Sequence, residues 1–283
     1  MVDVMVHLPR EASVLPLDPS LAWTASWAPG GPAQALHYCR AGVELAAIPG
    51  RYSVTYAILQ DRQALLVDVG SRSDLDRIRF VLEHLQVQRV RFVMPTHLHF
   101  DHAMGVEAAA DAFDAPVLLG SESRRRVLHG EPVPWPARWG PVLAVPGWVM
   151  QGMPTFPTSD WRHGLGFGFP WSRNRFRAPL GPPLENDAAV PGFEGWRVID
   201  TPGHSPDSIC LHHAGAGVLI AGDCVRNYRG GEWNGLMNDP EAYRCTRRDL
   251  LELDPRAIGP GHGAMLFGKN VLSGLREPTL RPW

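Results

Sequence analysis

The chain has 283 residues, 45% of them hydrophobic, so it can bury a large core in one domain or in two small ones. Its formal net charge is −2 at pH 7, and its basic residues are spread along the sequence, with 124–126 as the densest run. This distribution argues against the basic stripe with which proteins bind nucleic acids, and residues 124–126 are typical of a solvated helix face.

The cysteines and the apolar pattern indicate a cellular compartment. The cysteines form no C-x-x-C pair and are too few for a disulfide framework in a chain of this length: they are Cys39, Cys210, Cys224 and Cys245. Residues 1–20 lack the basic region and apolar stretch of a signal peptide, and no apolar window is long enough to span a membrane. We therefore expect a cytoplasmic protein with reduced thiols and no membrane partner.

The first elements of the predicted fold are a β-hairpin and a helix. Residues 52–59 and 64–70 are strand-like runs separated by the polar turn "QDRQ", which predicts the hairpin. Apolar residues recur at helical intervals over 73–85, behind a Ser or Asp cap. The run "VQRVRFVMPT" at 87–96 then predicts a further strand.

Strands and helices continue to alternate through the rest of the chain. Helices are predicted over 106–113, from 121 towards 128, and over 241–253. Strands are predicted over 115–120, 196–200, 208–213, 217–223 and 257–258. This alternation predicts an α/β fold with a mixed sheet. Residues 129–195 differ, because they set five tryptophans among many prolines and glycines without a sustained period, and no regular structure is assigned to them.

The densest chemical signal is "HLHFDH" at residues 97–102. It brings His97, His99, Asp101 and His102 together where a strand ends and a helix begins, which is where loops commonly form sites. Imidazole and carboxylate groups together suit zinc, and also iron or manganese. Alternating positions send side chains in different directions, so one such cluster could serve two metal ions. A polar turn whose histidines only form hydrogen bonds is the alternative.

Three later loops repeat the order of strand, small residues and ligand-type residue. "TPGHSPDS" supplies His204, "GDC" supplies Asp223 and "GPGHG" supplies His262, and each is predicted to leave a strand end beside a glycine. Taken singly, each is more typical of a turn or a strand end. Their order behind "HLHFDH" favours a shared site.

Taken together, these motifs resemble the signature of the metallo-β-lactamase superfamily, which is H-x-H-x-D-H followed by a His, an Asp and a last His. The resemblance spans residues 52–263, and "LLVDVG" is similar to the family's upstream strand that carries an aspartate, here Asp68. It implies an α/β fold of the four-layer αβ/βα sandwich type, formed by a single domain over 1–283, with metals in a groove at the sheet edges.

The resemblance also implies how the ligands divide between two divalent metal ions, with Zn²⁺ expected and Mn²⁺ or Fe²⁺ as alternatives. The two sets of three ligands are His97, His99 and His204 for the first ion, and Asp101, His102 and His262 for the second. Asp223 is implied as the bridge between the ions. Asp68 is implied to orient a ligand, and an aspartate that caps a turn at the strand end is the alternative for it.

This ligand set implies a metal-dependent hydrolase. Two cations about 3.5–4 Å apart share a water molecule and lower its pKa, so that hydroxide is available without a protein nucleophile. Asp101 is expected to pass a proton to the leaving group as well. Tyr228 is expected to donate a hydrogen bond to a developing oxyanion, and a tyrosine packed in a loop is the alternative.

The motif "HLHFDHA" resembles its form in the lactonases, and the carboxylate of Asp223 departs from β-lactamases that use a cysteine ligand. We predict a lactone or another carboxylic ester of a small, largely apolar substrate. The single lysine, Lys269, disfavours a glutathione thioester, because glyoxalase II recognises glutathione with basic residues. Four alternatives stay open: a thioester hydrolase, a phosphodiester hydrolase, an oxidoreductase resembling the persulfide dioxygenases with one iron, and a non-catalytic metal-stabilised binding protein.

The segment 129–195 is predicted to be a lid over the substrate pocket. It lies between the "HLHFDH" loop and the loop of His204, so its ends should emerge near the metals, and Trp148 and Trp161 are candidates for substrate binding. Aromatic residues also enrich contacts between subunits, so an interface in a homo-oligomer is the alternative.

Overall fold

The first part of the chain forms a mixed β-sheet. The computed structural model of the protein describes residues 8–17, 34–135, 173–227 and 230–278. Its first sheet contains eight strands that neighbour one another in chain order: β1 (Ala12–Pro16), β2 (Gln34–Arg40), β3 (Val43–Pro49), β4 (Val54–Gln60), β5 (Gln63–Val67), β6 (Arg89–Met94), β7 (Val117–Gly120) and β8 (Leu180–Leu184). Strands β1 to β5 pair antiparallel and β5 to β8 pair parallel. The predicted hairpin and mixed sheet are confirmed.

Helices follow the parallel strands, because strands that pair parallel need a crossover between them. These helices are α1 (Leu75–His84), α2 (Phe100–Ala103), α3 (Val106–Phe113) and α4 (Ser121–His129). Helix α1 buries Leu75, Ile78 and Leu82 against the first sheet, as their spacing predicts. Among the described helices, none is long and apolar enough to cross a membrane.

The later part of the chain forms a second sheet and one further helix. Its strands are β9 (Trp196–Asp200), β10 (Ile209–His213), β11 (Val218–Asn227), β12 (Glu232–Trp233), β13 (Ala257–Gly263) and β14 (Leu266–Phe267). Their order is β14-β13-β11-β10-β9, and β12 pairs with β11. Helix α5 (Pro240–Leu251) is capped by Asp239, the residue before it, whose side chain accepts hydrogen bonds from the backbone N–H groups of Glu241 and Ala242.

The two sheets pack face to face around an apolar core. Leu45, Ile58 and Leu65 of the first sheet pack in one buried cluster with residues of β9, β10 and β11 in the second, among them Leu211 and Ile220. A separate cluster lies between the first sheet and helices α1, α3 and α4, and another lies between the second sheet and α5. Helices therefore cover the outer face of each sheet, and the predicted four-layer α/β sandwich is confirmed.

Several strands differ from the sequence prediction. Strands β1, β2 and β3 precede the first predicted element, and β8 lies within 129–195, where no regular structure was assigned. Pro182 and Pro183 argue against a strand in the sequence, which is why β8 is not predicted. They are tolerated because β8 is the last strand in the described order of its sheet. Strands β11 and β13 extend past the predicted ends at 223 and 258.

We expect Tyr56→Phe to destabilise the fold. The Tyr56 hydroxyl is buried and donates a hydrogen bond to the carbonyl oxygen of Pro260 at 2.7 Å, which joins the two sheets. Its loss leaves that buried carbonyl without the donor, so the free energy of unfolding should fall by about 1–3 kcal/mol. Urea denaturation measures this change, and an unchanged slope of the transition is the control. A variant as stable as the native chain would contradict the prediction.

Candidate metal centre

The "HLHFDH" motif forms the loop after β6 and the first turn of α2. His97 and His99 lie in the loop, and Asp101 and His102 lie in the helix. All four are buried, with exposed fractions of 1%, 5%, 8% and 0% in that order. A change from strand to helix within a few residues therefore turns four polar side chains towards one place at the edge of the first sheet.

The second sheet supplies the other three ligand-type residues. His204 lies in the loop after β9, as predicted. Asp223 and His262 were predicted to follow strand ends, and this was wrong, because they lie within β11 and β13. The ladder between these parallel strands is irregular between Gly222 and Arg226, so Asp223 lies in a break of the regular pairing. That break replaces the strand end as the feature that positions Asp223.

In the described part of the chain, the buried side chains form two clusters that share no residue, and a third group of His97, His102 and Asp223 connects them. The ligand atoms of each group lie within 4.8 Å of one another. The first cluster contains His97, His99 and His204, and the second cluster contains Asp101, His102 and His262. In the first, Nδ1 of His99 lies 3.0 Å from Nε2 of His204. In the second, Oδ2 of Asp101 lies 3.4 Å from Nε2 of His262 and 3.9 Å from Nε2 of His102.

Asp223 lies between the two clusters and offers one oxygen to each. Its Oδ1 atom is 3.2 Å from Nε2 of His102 and 3.3 Å from Nε2 of His262, both in the second cluster. Its Oδ2 atom is 3.4 Å from Nε2 of His204 in the first cluster. The carboxylate thus has the position that a group shared by two cations would require.

Hydrogen bonds behind the clusters select which nitrogen of each imidazole faces inward. Nδ1 of His102 donates to Oδ2 of Asp68 at 2.9 Å, and Nδ1 of His204 donates to the carbonyl of Leu236 at 2.7 Å. His99 uses the opposite nitrogen, because its Nε2 donates to the carbonyl of Pro134 at 3.3 Å. Each ring therefore directs the nitrogen that makes no such outward bond into its cluster, as metal-binding histidines require.

His97 is oriented through Thr96 and Asp68. The Thr96 hydroxyl donates to Oδ2 of Asp68 at 3.0 Å, so it accepts from Nδ1 of His97 at 3.1 Å. Asp68 also accepts from the backbone N–H of Thr96 at 2.6 Å. Its left-handed backbone, with φ of +59°, is a strained conformation for a residue other than glycine. Asp68 therefore positions two of the histidines.

Buried polar atoms without hydrogen bonds test whether the residues fit a metal ion. Within the described part of the chain, such atoms include Nε2 of His97, Nε2 of His102 and Oδ1 of Asp223. Burying polar atoms without hydrogen bonds is costly. They point into the clusters, and a divalent cation would satisfy all three. Imidazoles and carboxylates together are ligands of zinc, iron and manganese, so the residues fit the implied metal.

The protonation states of the first cluster agree with this fit. Burial lowers the pKa of His97 and His99, and it lowers the pKa of His204 to about 4, so these rings are neutral. Burial would also lower the pKa of His102, but the carboxylates of Asp68, Asp223 and Asp101 outweigh it and raise this pKa to about 10. Burial acts in the opposite sense on Asp223, yet His262 and His102 hold its pKa well below the usual range.

Two further residues stabilise the centre, and the sequence analysis did not select them. Asp207 accepts hydrogen bonds from the backbone N–H of Leu98 and the hydroxyl of Ser123, both at 2.9 Å, so it fixes the "HLHFDH" loop to α4. Its place three residues after His204 was a possible signal. Asn234 donates a hydrogen bond to Oδ2 of Asp223 at 3.3 Å, and no sequence motif indicates this residue.

The middle glycine of "GPGHG" is Gly261, and its lack of a side chain has a structural reason. A Cβ atom at this position would lie 2.4 Å from Oδ1 of Asp223 and 2.8 Å from Cε1 of His102. Only glycine lets β13 approach the centre this closely. Three other predicted site residues, Trp148, Trp161 and Tyr228, lie outside the described residues, and their roles stay predictions.

Comparisons with known proteins agree with the geometry. The family described as the metallo-beta-lactamase superfamily matches residues 48–262. The probable metallo-hydrolase YflN of Bacillus subtilis is 30% identical over 203 residues, which are 67% of this chain and 70% of the relative. The acyl-coenzyme A thioesterase MBLAC2 of Gallus gallus is 28% identical over 65% of this chain and 60% of its own length. The crystal structure of the BLEG-1 B3 metallo-beta-lactamase has a TM-score of 0.53 at 23% identity, over 78% of this chain and 92% of that one.

A four-layer α/β sandwich with buried His and Asp clusters at its edge defines a metal-dependent hydrolase. The match to the family extends from β3 to β13 and includes every residue of both clusters. The chain belongs to the metallo-β-lactamase superfamily.

Proposed function

We propose that the protein binds two divalent metal ions, Zn²⁺ by preference, and hydrolyses a lactone or another carboxylic ester. The observation that carries this proposal is the position of Asp223, whose two oxygens face two separate clusters. A centre for one ion would need only one of the clusters. The first cluster would hold one ion, the second cluster would hold the other, and Asp223 would be shared between them.

When bound, such a pair of ions would lower the pKa of a water molecule and polarise the carbonyl oxygen of the substrate. The residues of the chain would hold the ions, orient the ligands and exchange protons with the water molecule. Asp68 fixes the ring of His102, and Asn234 fixes Asp223. We assign the proton transfer to the leaving group to Asp101, whose side chain is 12% exposed, compared with 8% for Asp223.

An aromatic group beside the centre supports an apolar substrate. Phe100 lies between His99 and Asp101 in the sequence, and its ring contacts Tyr52 and Trp135, each with centroids 5.8 Å apart. Met104 packs against the same group. Trp135 directly follows Pro134, whose carbonyl accepts the hydrogen bond from His99, so this residue lies at the margin of the centre. Tyr52 and Phe100 are buried and support Trp135, which is partly exposed and would bind an alkyl or acyl group by burying it.

The segment 129–195 keeps its proposed role in substrate selection. Residues 136–172 lie outside the described part of the chain. The residues that flank them approach one another, because the side-chain amide of Asn174 donates to the carbonyl of Glu131 at 3.2 Å. This supports a segment that leaves and returns at one place near His99. The lid, the alternative of a subunit interface, the single domain and the cytoplasmic location stay predictions.

A thioester is the second candidate substrate. The favouring observation is the similarity to MBLAC2, which is named as an acyl-coenzyme A thioesterase. Thioesters and esters share the carbonyl centre that water attacks, and they differ in the leaving group. An acyl chain against Phe100 and Trp135 would suit either bond, so the choice depends on the leaving-group side of the pocket.

The test combines metal analysis with a matched set of substrates. Protein purified without added metal is analysed for metal content and assayed on lactones, aryl esters, acyl thioesters and a phosphodiester. We expect two ions per active chain, loss of hydrolysis on chelation and recovery with added Zn²⁺ or Mn²⁺. One ion in fully active protein would contradict the dinuclear proposal, and one iron with persulfide oxidation would favour the oxidoreductase. Metal-loaded protein that hydrolyses none of these substrates would favour a binding protein.

We expect Trp135→Ala to weaken the preference for long alkyl chains. In the native protein, each added methylene that is buried should raise kcat/KM about fourfold, which corresponds to about 0.8 kcal/mol. Removal of the indole should flatten this dependence across a series of lactones and esters. Phe267→Ala is the control, because Phe267 pairs with Ala257 at the start of β13, away from His262. If kcat/KM rose equally steeply with alkyl chain length in the native protein and in Trp135→Ala, the proposed role of Trp135 would be refuted.

A further inference from the structure

A second group of metal-ligand side chains lies on the hairpin formed by β2 and β3. It consists of His37, Cys39 and Glu44, and we call it the hairpin cluster. Cys39 and Glu44 face each other as a cross-strand pair in the ladder, and His37 lies two residues before Cys39 on the same face of the strand. The connecting turn has positive φ at Ala41 and Gly42, which fixes the register of the pair.

The hairpin cluster is distant from the candidate metal centre along the strands of the sheet. Glu44 pairs with Leu59 on β4, and Leu59 pairs with Ala64 at the beginning of β5. Asp68 follows the other end of β5. The hairpin cluster therefore lies at the opposite end of the strands from the centre. Neither the proposed hydrolysis nor its ligands involve it.

The distances within the hairpin cluster are close to those of a tetrahedral metal site. Nε2 of His37 lies 3.4 Å from Sγ of Cys39 and 2.9 Å from Oε1 of Glu44. Tetrahedral zinc with ordinary bond lengths separates nitrogen from sulfur by about 3.6 Å and nitrogen from carboxylate oxygen by about 3.3 Å. A shift of a few tenths of an ångström would therefore admit the ion, and the long Glu44 side chain, 45% exposed, can make it.

We propose that the hairpin cluster binds one further divalent transition metal ion, with Zn²⁺ as the ion that its ligands suit best. His37, Cys39 and Glu44 supply nitrogen, sulfur and oxygen, and the fourth position of the tetrahedron faces solvent. The thiol gives up its proton to solvent as the metal–sulfur bond forms. An ion pair between His37 and Glu44 with a hydrogen bond between His37 and Cys39 is the metal-free alternative for this group.

Cobalt titration tests the proposal, because a thiolate bound to Co²⁺ absorbs in the near ultraviolet and the proposed ligands of the hydrolytic centre contain no thiol. We expect this absorption to reach the amplitude of one bound thiolate per chain in the native chain and in Cys245→Ser, which removes the other exposed cysteine. It should vanish in Cys39→Ser, and His37→Ala should weaken cobalt binding at this site by more than about tenfold. Added Zn²⁺ should bleach the absorption and protect one thiol from a thiol reagent.

Two outcomes would overturn the proposal: no thiolate absorption in the native chain, or the same absorption in Cys39→Ser. Asp223→Ala separates this proposal from the hydrolytic one, because it should keep the thiolate absorption while it loses hydrolysis. Cys39→Ser should conversely keep native hydrolysis. Cys39 is exposed, so its replacement by serine leaves the fold intact, and circular dichroism of each variant verifies this.

Discussion

Asp223→Ala is expected to lower hydrolysis by more than about 100-fold, the upper end of the loss caused by removing a residue that only orients a ligand. The reason is that Asp223 faces both clusters at once, with distances of 3.2 Å to His102 and 3.4 Å to His204. Alanine removes the negative charge that the two proposed cations would share, so their mutual repulsion would no longer be offset. Metal content per chain should fall together with kcat/KM.

The control for this variant is Asp200→Ala. Asp200 ends β9 in the same sheet and is exposed, and it carries no contact to either cluster among the hydrogen bonds and ion pairs of the described residues. It should keep native metal content and native activity. Asp223→Asn retains the size of the side chain and loses its charge, so it should resemble Asp223→Ala. An Asp223→Ala protein that holds two ions and hydrolyses at the native rate would refute the shared carboxylate.

The sequence predicts those parts of the centre whose geometry is local. "HLHFDH" places four ligand-type side chains in one turn, and the structure brings all four to the edge of the first sheet. His204 is likewise positioned by the loop that contains it. Asp223 and His262 depend on the ladder between β11 and β13, whose break at Gly222 is a property of two strands together. Their residue types are visible in the sequence, but the element that positions them is not.

Two of the contacts that the sequence did not reveal act over long separations in the chain. Asp207 binds the backbone of Leu98, which is 109 residues earlier, and the Tyr56 hydroxyl reaches Pro260 across 204 residues. Such contacts form only when the two sheets have packed, so the local periodicity of the sequence does not predict them. The missed strands have a local cause, because β2 alternates weakly between buried and exposed residues and β8 contains two prolines.

Asp68→Asn is expected to lower metal affinity at the second cluster by about 10–100-fold, with a corresponding loss of hydrolysis. The variant keeps the size of the side chain and its tolerance of left-handed backbone. However, Oδ1 of Asp68 accepts from the backbone N–H of Thr96, and Oδ2 accepts from both the Thr96 hydroxyl and Nδ1 of His102. An amide nitrogen in either place would face a donor.

Where the amide nitrogen takes the place of Oδ2, His102 relieves the conflict by moving its proton from Nδ1 to Nε2, the nitrogen that faces Asp223 and Asp101. The inward nitrogen would then be protonated and unable to bind a metal ion. Excess Zn²⁺ should therefore restore part of the activity of Asp68→Asn, and the nitrogen chemical shifts of His102 should report the changed tautomer. Asp74→Asn is the matched control, since Asp74 is also buried and accepts from a backbone N–H, that of Arg51, without touching either cluster's imidazoles in the described contacts. Equal loss of metal in both variants, or a native tautomer of His102 in Asp68→Asn, would show that Asp68 does not select the nitrogen that binds the metal.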